Sequence, residues 1–163
     1  GASGRYVALL ERRVEGARRP PLTDRARESA DQVRPPLVAK AFRRLDRRVA
    51  GLEIDTPSPV WHEARIAAKR ARYSADAVAP VLGHDMERLA DRLADVTEVL
   101  GSHQDAHVAQ ETLRDLAPEA DPAGAFALGR LLGIEEAAEM ADRHTFLDLW
   151  PRVRRAAHRA DIA

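Results

Sequence analysis

Met86, Leu89, Leu93, Val96, Leu100, His103 and His107 recur at alternating spacings of three and four. At about 100° per residue they fall along one line of an α-helix. A strand cannot use this pattern, because its faces repeat every second residue. The seam therefore predicts a helix that begins near His84, ends by Pro118 and buries one stripe against partner helices. Gly101 interrupts it as the place where a bend or break is expected.

The rest of the chain carries the same period between clear breakers. Pro20-Pro21, Pro35-Pro36, residues 56–59, 80–83 and 118–122, and Pro151 divide it. A first helix is predicted over 4–18. A second starts at Thr23 or Asp24, is broken or kinked at Pro35 and Pro36, and resumes to Val49, with Gly51 ending it. Its apolar face is Val38, Ala41, Phe42, Leu45 and Val49, with Lys40, Arg43 and Arg47 opposite. The third runs over 58–79, capped by Ser58 with Pro59 at its first position. A fifth is expected over 122–142 and a sixth over 145–160. Aromatics are 4% of the chain and good helix formers dominate. The expected fold is all-α: one domain over residues 1–163, an antiparallel bundle of about six helices.

The 163 residues contain no cysteine, which excludes a disulfide framework, a thiol nucleophile and thiolate metal sites. No apolar run reaches membrane-spanning length, and no basic-then-apolar leader opens the sequence. The expected location is the cytoplasm. Formal charge is zero, with 26 basic and 26 acidic residues, yet the charge is segregated. Residues 1–72 hold 17 Lys and Arg against 9 Asp and Glu; residues 73–142 hold 4 against 15. Such asymmetry implies a positive surface on a neutral molecule. Lys40 and Lys69 are the only lysines, so the positive charge is mostly arginine, suited to forked contacts with carboxylate or phosphate.

The third helix is the most informative. His62, Arg65, Lys69 and Arg72 fall within about 80° of one another on the helical wheel. Ala64, Ala68, Ala71 and Ala75 form a separate small-residue face suited to close packing. Like charges a turn apart destabilise a helix, so an anionic partner is expected. Either a ligand or the acidic 85–105 helix can supply it. Glu63, the one acid within the stretch, points elsewhere.

The segment His62-x-x-Arg65-x-x-x-Lys69-Arg70-x-Arg72-Tyr73 resembles the signature helix of the CHAD family, the conserved histidine α-helical domain. Leu100-Gly101-x-x-Gln104-Asp105-x-x-Val108, followed by Leu113, resembles that family's Leu-Gly…Asp-x-x-Val element. Arg5-Tyr6-x-x-Leu9-Leu10, Pro36-Leu37-Val38-x-Lys40 and Gly129-Arg130-Leu131-Leu132 fit it more loosely. Family members carry two similar helical halves, and the order of elements here resembles the C-terminal one. The resemblance implies a non-catalytic, all-α binder of inorganic polyphosphate, with polyphosphate granules as a possible location. The missing N-terminal half or a second copy would be its protein partner. The implied polyphosphate contacts are His62, Arg65, Lys69 and Arg72, followed by Arg70, the Lys40, Arg43 and Arg47 face, and His103. No cofactor, membrane or catalytic residue is implied, and no Gly-rich phosphate loop is present.

Two rival readings use the same charges. One is a nucleic-acid-binding helical module, opposed by the scarcity of aromatic residues for base stacking. The other is a structural half-domain whose stripe is salt-bridged to the acidic 85–105 helix. His103 and His107 have metal-ligand spacing, but Gln104 stands where a metalloprotease motif needs glutamate, so no metal is expected. Glu135, Glu136 and Glu139 read as a solvated helix face. Arg152, Arg155 and Arg159 form a second basic stripe, either a surface helix end or a ligand contact.

Overall fold

The computed structural model describes the backbone of residues 30–163 and side chains from residue 35 onward. The first predicted helix and the Thr23 or Asp24 cap lie outside the described residues. Within them the order is α1 (Ala30–Val49), α2 (Ser58–Leu82), α3 (His84–Leu116), a short 3-10 turn (Ala117–Glu119) and α4 (Pro122–Arg159). Every regular element among the described residues is helical.

Three expectations about boundaries are corrected. Proline does not break α1, which passes through Pro35 and Pro36. Each proline removes one backbone bond to the carbonyl four residues before it, and the buried Val38, Phe42 and Leu45 that follow hold the segment helical. Gly101 does not interrupt α3 either. Most consequentially, the expected fifth and sixth helices are one helix of 38 residues, giving four helices among the described residues rather than about six in the whole chain. Asp142-Arg143-His144-Thr145 contains no glycine or proline, and Arg143 and Phe146 are buried there, so core packing holds the segment helical. Pro151 also lies inside α4.

The core follows the periodicity. Val38, Phe42, Leu45 and Val49 of α1 are buried, and Lys40, Arg43 and Arg47 are exposed. Met86 to His103 of the α3 seam are buried, and His107 is half-buried. Ala64, Ala68, Ala71 and Ala75 are fully buried, so the middle of α2 presents methyl groups to its neighbours, with Trp61 and Val78 buried on either side. Aromatic rings join the helices: Phe42 stacks on Trp150, Trp150 on Phe146, and Phe146 meets Trp61 edge-on at 5.3 Å. Trp61 then stacks on His103. Its indole N–H donates to Thr56 O at 3.1 Å, which fixes the loop before α2.

Helices α2, α3 and α4 run antiparallel in succession. His62 meets Gln104 while Arg72 meets Thr97; Gln110 meets Glu139 while His103 meets Arg143. Gly83 alone joins α2 to α3, with φ 80° and ψ −164°, a conformation essentially reserved for glycine. The α4 carboxyl end closes with Asp161 at φ 56°, Asp161 N–H bonded to His158 O and Ile162 N–H to Ala157 O. Burial of Ile162 completes this left-handed cap.

Candidate functional site

The alanine face sets the position of the basic stripe. Because α2 buries its methyl groups, the adjacent positions His62, Arg65, Lys69 and Arg72 come to lie half-buried along its flank, and Arg70 stays exposed. His62 Nδ1 lies 2.6 Å from Gln104 Oε1, so that nitrogen donates to the amide oxygen. Both belong to an open recess of about 420 Å³ that also includes Ser58, Glu63, His107 and Glu111. Arg72 donates through Nη1 to Thr97 Oγ1 at 3.1 Å and lies 3.4 Å from Asp76 Oδ2 on its own helix.

Arg65 and Arg72 share one feature: the Nε of each is buried and makes no hydrogen bond among the described residues. No carboxylate among the described residues pairs with Arg65, Lys69 or Arg70. The acids of α3 are engaged elsewhere where they are engaged at all: Asp95 pairs with Arg92 at 3.1 Å. Glu63 faces α1, 3.7 Å from Arg48. Lys40 and Arg47 line a shallow recess with Arg44 and Arg48, while Arg43 is exposed outside that lining. No hydrogen bond or ion pair joins Lys40, Arg43 or Arg47 to the α2 stripe among the described residues; Arg48 and Glu63 form the ion pair between the two helices.

His103 is not brought to that surface. It is 2% exposed and belongs to a buried polar network. Arg143 donates through Nε to His103 Nε2 at 3.1 Å, through Nη2 to Glu139 Oε1 at 2.7 Å and to Ser58 Oγ at 2.9 Å, and through Nη1 to Ile54 O at 2.7 Å. Its guanidinium also lies over Trp61, 5.6 Å from the ring centre. Ser58 Oγ and Gln110 Nε2 donate to Glu139. Burial lowers the His103 pKa below its ordinary value, Arg143 adds to this, and the nearby Glu139 charge opposes it without prevailing. Burial alone would raise the Glu139 pKa, but hydrogen bonds from Ser58, Gln110 and Arg143 outweigh it and hold the carboxyl down at about 2.

This network corrects two expectations. Glu139 is not on a solvated face; it is 7% exposed. Ser58 does not cap α2: Pro57 occupies the cap position, and the Ser58 hydroxyl is directed to Glu139. The sequence alone does not mark Ser58, Gln110, Glu139 and Arg143 as partners. The available signal is that Glu139 and Arg143 continue the spacing of Phe146, Trp150, Val153 and Ala157.

Among the described residues no group of three His, Cys, Asp or Glu suits a metal ion. No described helix is long and apolar enough to cross a membrane. The chain matches the CHAD domain family over residues 2–114, which takes in the His62–Tyr73 and Leu100–Val108 elements and stops before α4. Comparison with the curated proteins and with the solved structures finds no match. With the family pattern spanning more than half of its length and including the basic helix itself, the chain belongs to the CHAD family.

Proposed function

We propose that this chain binds inorganic polyphosphate, without turning it over, along the flank of α2. One observation carries the reading: Arg65, Lys69 and Arg70 have no carboxylate partner among the described residues, although α3 packs beside them. A stripe neutralised from within would contain such pairs. Arg65 and Arg72 each keep a buried Nε–H with no hydrogen bond among the described residues, so neither guanidinium is fully satisfied within the fold, and phosphoryl oxygens can engage their outer N–H groups. His62 and Arg72 bound the stripe, each already oriented by a side chain of α3. Lys40, Arg43 and Arg47 extend the positive surface on α1, and His103 supports the site from within rather than touching the ligand.

The CHAD membership supports the ligand class and the absence of catalysis. It also suggests the remaining proposals: an N-terminal half or a second copy as the protein partner, and polyphosphate granules in the cytoplasm as the location. The decisive experiment measures binding of polyphosphate fractions of defined chain length against DNA and RNA of equal charge. Preference for polyphosphate that grows with chain length supports the proposal. Equal or tighter binding of single-stranded nucleic acid overturns it in favour of a nucleic-acid module, for which the exposed Tyr73 beside Lys69 and Arg70 would be the stacking surface.

A further inference from the structure

A second gathering of positive charge lies between the amino-terminal part of α3 and the carboxyl-terminal part of α4. Arg88 and Arg92 from α3 and Arg152, Arg155 and Arg159 from α4 line one cavity of about 380 Å³, with Asp85 as the carboxylate on its wall. The antiparallel course of the two helices brings these distant parts of the sequence together. Arg92 is paired with Asp95 at 3.1 Å. Arg88, Arg152, Arg155 and Arg159 have no carboxylate within ion-pairing distance among the described residues.

Helix electrostatics do not account for the cluster. The carbonyl end of α4 favours Arg159, in its last turn, but not Arg152 or Arg155. Arg88 and Arg92 stand in the half of α3 nearer its amino end, where that effect gives a cation nothing. Within each helix the arginines are spaced one turn apart, which disfavours the helix. An anion held between the two walls offsets both costs.

The shape of the donor set selects the anion. Guanidinium groups approach from opposite helices, so the ligand must present oxygens in several directions. A phosphoryl group does so, whereas a carboxylate offers two oxygens in one plane. The volume is in the range of small-ligand sites, roughly 300–1,000 Å³, so the occupant is compact. We propose that this cavity is a second anion site, separate from the α2 stripe, for a compact ligand with adjacent phosphoryl groups. This inference does not depend on the reading of α2.

The test is a calorimetric titration of the 163-residue chain with tripolyphosphate, ATP and citrate. It compares the unchanged chain with Arg88→Gln/Arg155→Gln and with Arg65→Ala/Lys69→Ala. Tripolyphosphate or ATP is expected to bind the unchanged chain and the Arg65→Ala/Lys69→Ala variant, and to bind Arg88→Gln/Arg155→Gln at least about tenfold more weakly. Tighter binding of ATP assigns the phosphoryl groups to a nucleotide, and tighter binding of tripolyphosphate to an inorganic chain. The proposal is overturned if neither binds, if citrate binds as tightly, or if Arg88→Gln/Arg155→Gln leaves the isotherm unchanged. Both changed arginines are exposed, and an unchanged melting temperature confirms that the variant folds. Long-chain polyphosphate is titrated into the same three proteins: a loss confined to Arg65→Ala/Lys69→Ala reports on the α2 stripe and a loss confined to Arg88→Gln/Arg155→Gln on this cavity, so the two readings fail separately.

Discussion

Arg143 donates through Nε to Nε2 of His103 at 3.1 Å, and that bond requires a lone pair on the imidazole nitrogen. His103 is therefore neutral in the folded protein, although Glu139 Oε1 stands 3.3 Å from the same atom. The guanidinium occupies the position a proton would need. A buried carboxylate, a buried guanidinium and a neutral imidazole thus form one set, tied to the start of α2 through Ser58 and to α3 through Gln110.

Stability is expected to fall in two stages as pH decreases. The folded pKa of His103 lies below its unfolded value of about 6.5, so folding binds fewer protons there. Its contribution is present above pH 6.5 and is lost as pH falls from there toward the folded pKa. Glu139 is depressed from 4.5 to about 2, so its contribution, roughly 3 kcal/mol, is present above pH 4.5 and is lost as pH falls toward 2. Melting temperature measured across pH 7.5 to 3 checks this. His103→Gln should flatten the first stage and leave the second; a first stage that persists in that variant would assign it to other groups.

Removing Arg143 should be among the most damaging single changes. Arg143→Met leaves Glu139 charged, buried and short of one donor, at a cost of about 3–5 kcal/mol. Glu139→Leu/Arg143→Met should cost less than the two single changes added together, because the double change leaves no unpaired buried charge. Urea unfolding of the three variants measures this coupling. Additive losses would mean that the two side chains stabilise the bundle independently.

The seam of α3 is legible in sequence because its members are apolar and repeat without a gap. The corresponding line in α4 runs Glu139, Arg143, Phe146, Trp150, Val153 and Ala157, at the same alternating spacing. Its first two members are charged, and in a sequence charge reads as a mark of solvent. That one substitution of rule hides the network, places Glu139 outside and divides α4 in two. The α2 stripe is visible from spacing, but the absence of α3 carboxylates around Arg65 and Lys69 is a fact of packing. The arginine cavity is invisible for a related reason. Arg88 and Arg92 sit in a segment that is acidic overall, and only the antiparallel pairing of α3 with α4 turns them toward Arg155.

The joint between α2 and α3 depends on one backbone conformation. Gly83 has φ 80° and ψ −164°, and a Cβ there would meet nothing within 4 Å. Gly83→Ala should therefore cost about 1–3 kcal/mol through backbone strain alone, with no cavity or clash involved. Chemical denaturation should show that loss with an unchanged dependence on denaturant. A loss within about 0.5 kcal/mol would mean that the joint relaxes into an ordinary conformation.

Arg65→Ala/Lys69→Ala separates a ligand stripe from a structural one by moving binding and stability in opposite directions. Both residues are half-buried on α2, next to Arg72 and without carboxylate partners among the described residues. If they hold phosphate, their loss weakens polyphosphate binding by roughly tenfold or more, since charge-assisted hydrogen bonds contribute about 1.5–3 kcal/mol each. Folding stability should hold or rise slightly, because like charges a turn apart are removed. The salt dependence of binding should also become shallower, since fewer condensed counterions are released when fewer cations meet the polyanion. Binding isotherms at three salt concentrations, with thermal melts of the same samples, report all three quantities. A variant that melts well below the unchanged chain and binds polyphosphate as before would show that these side chains support the fold, and would move the ligand away from α2.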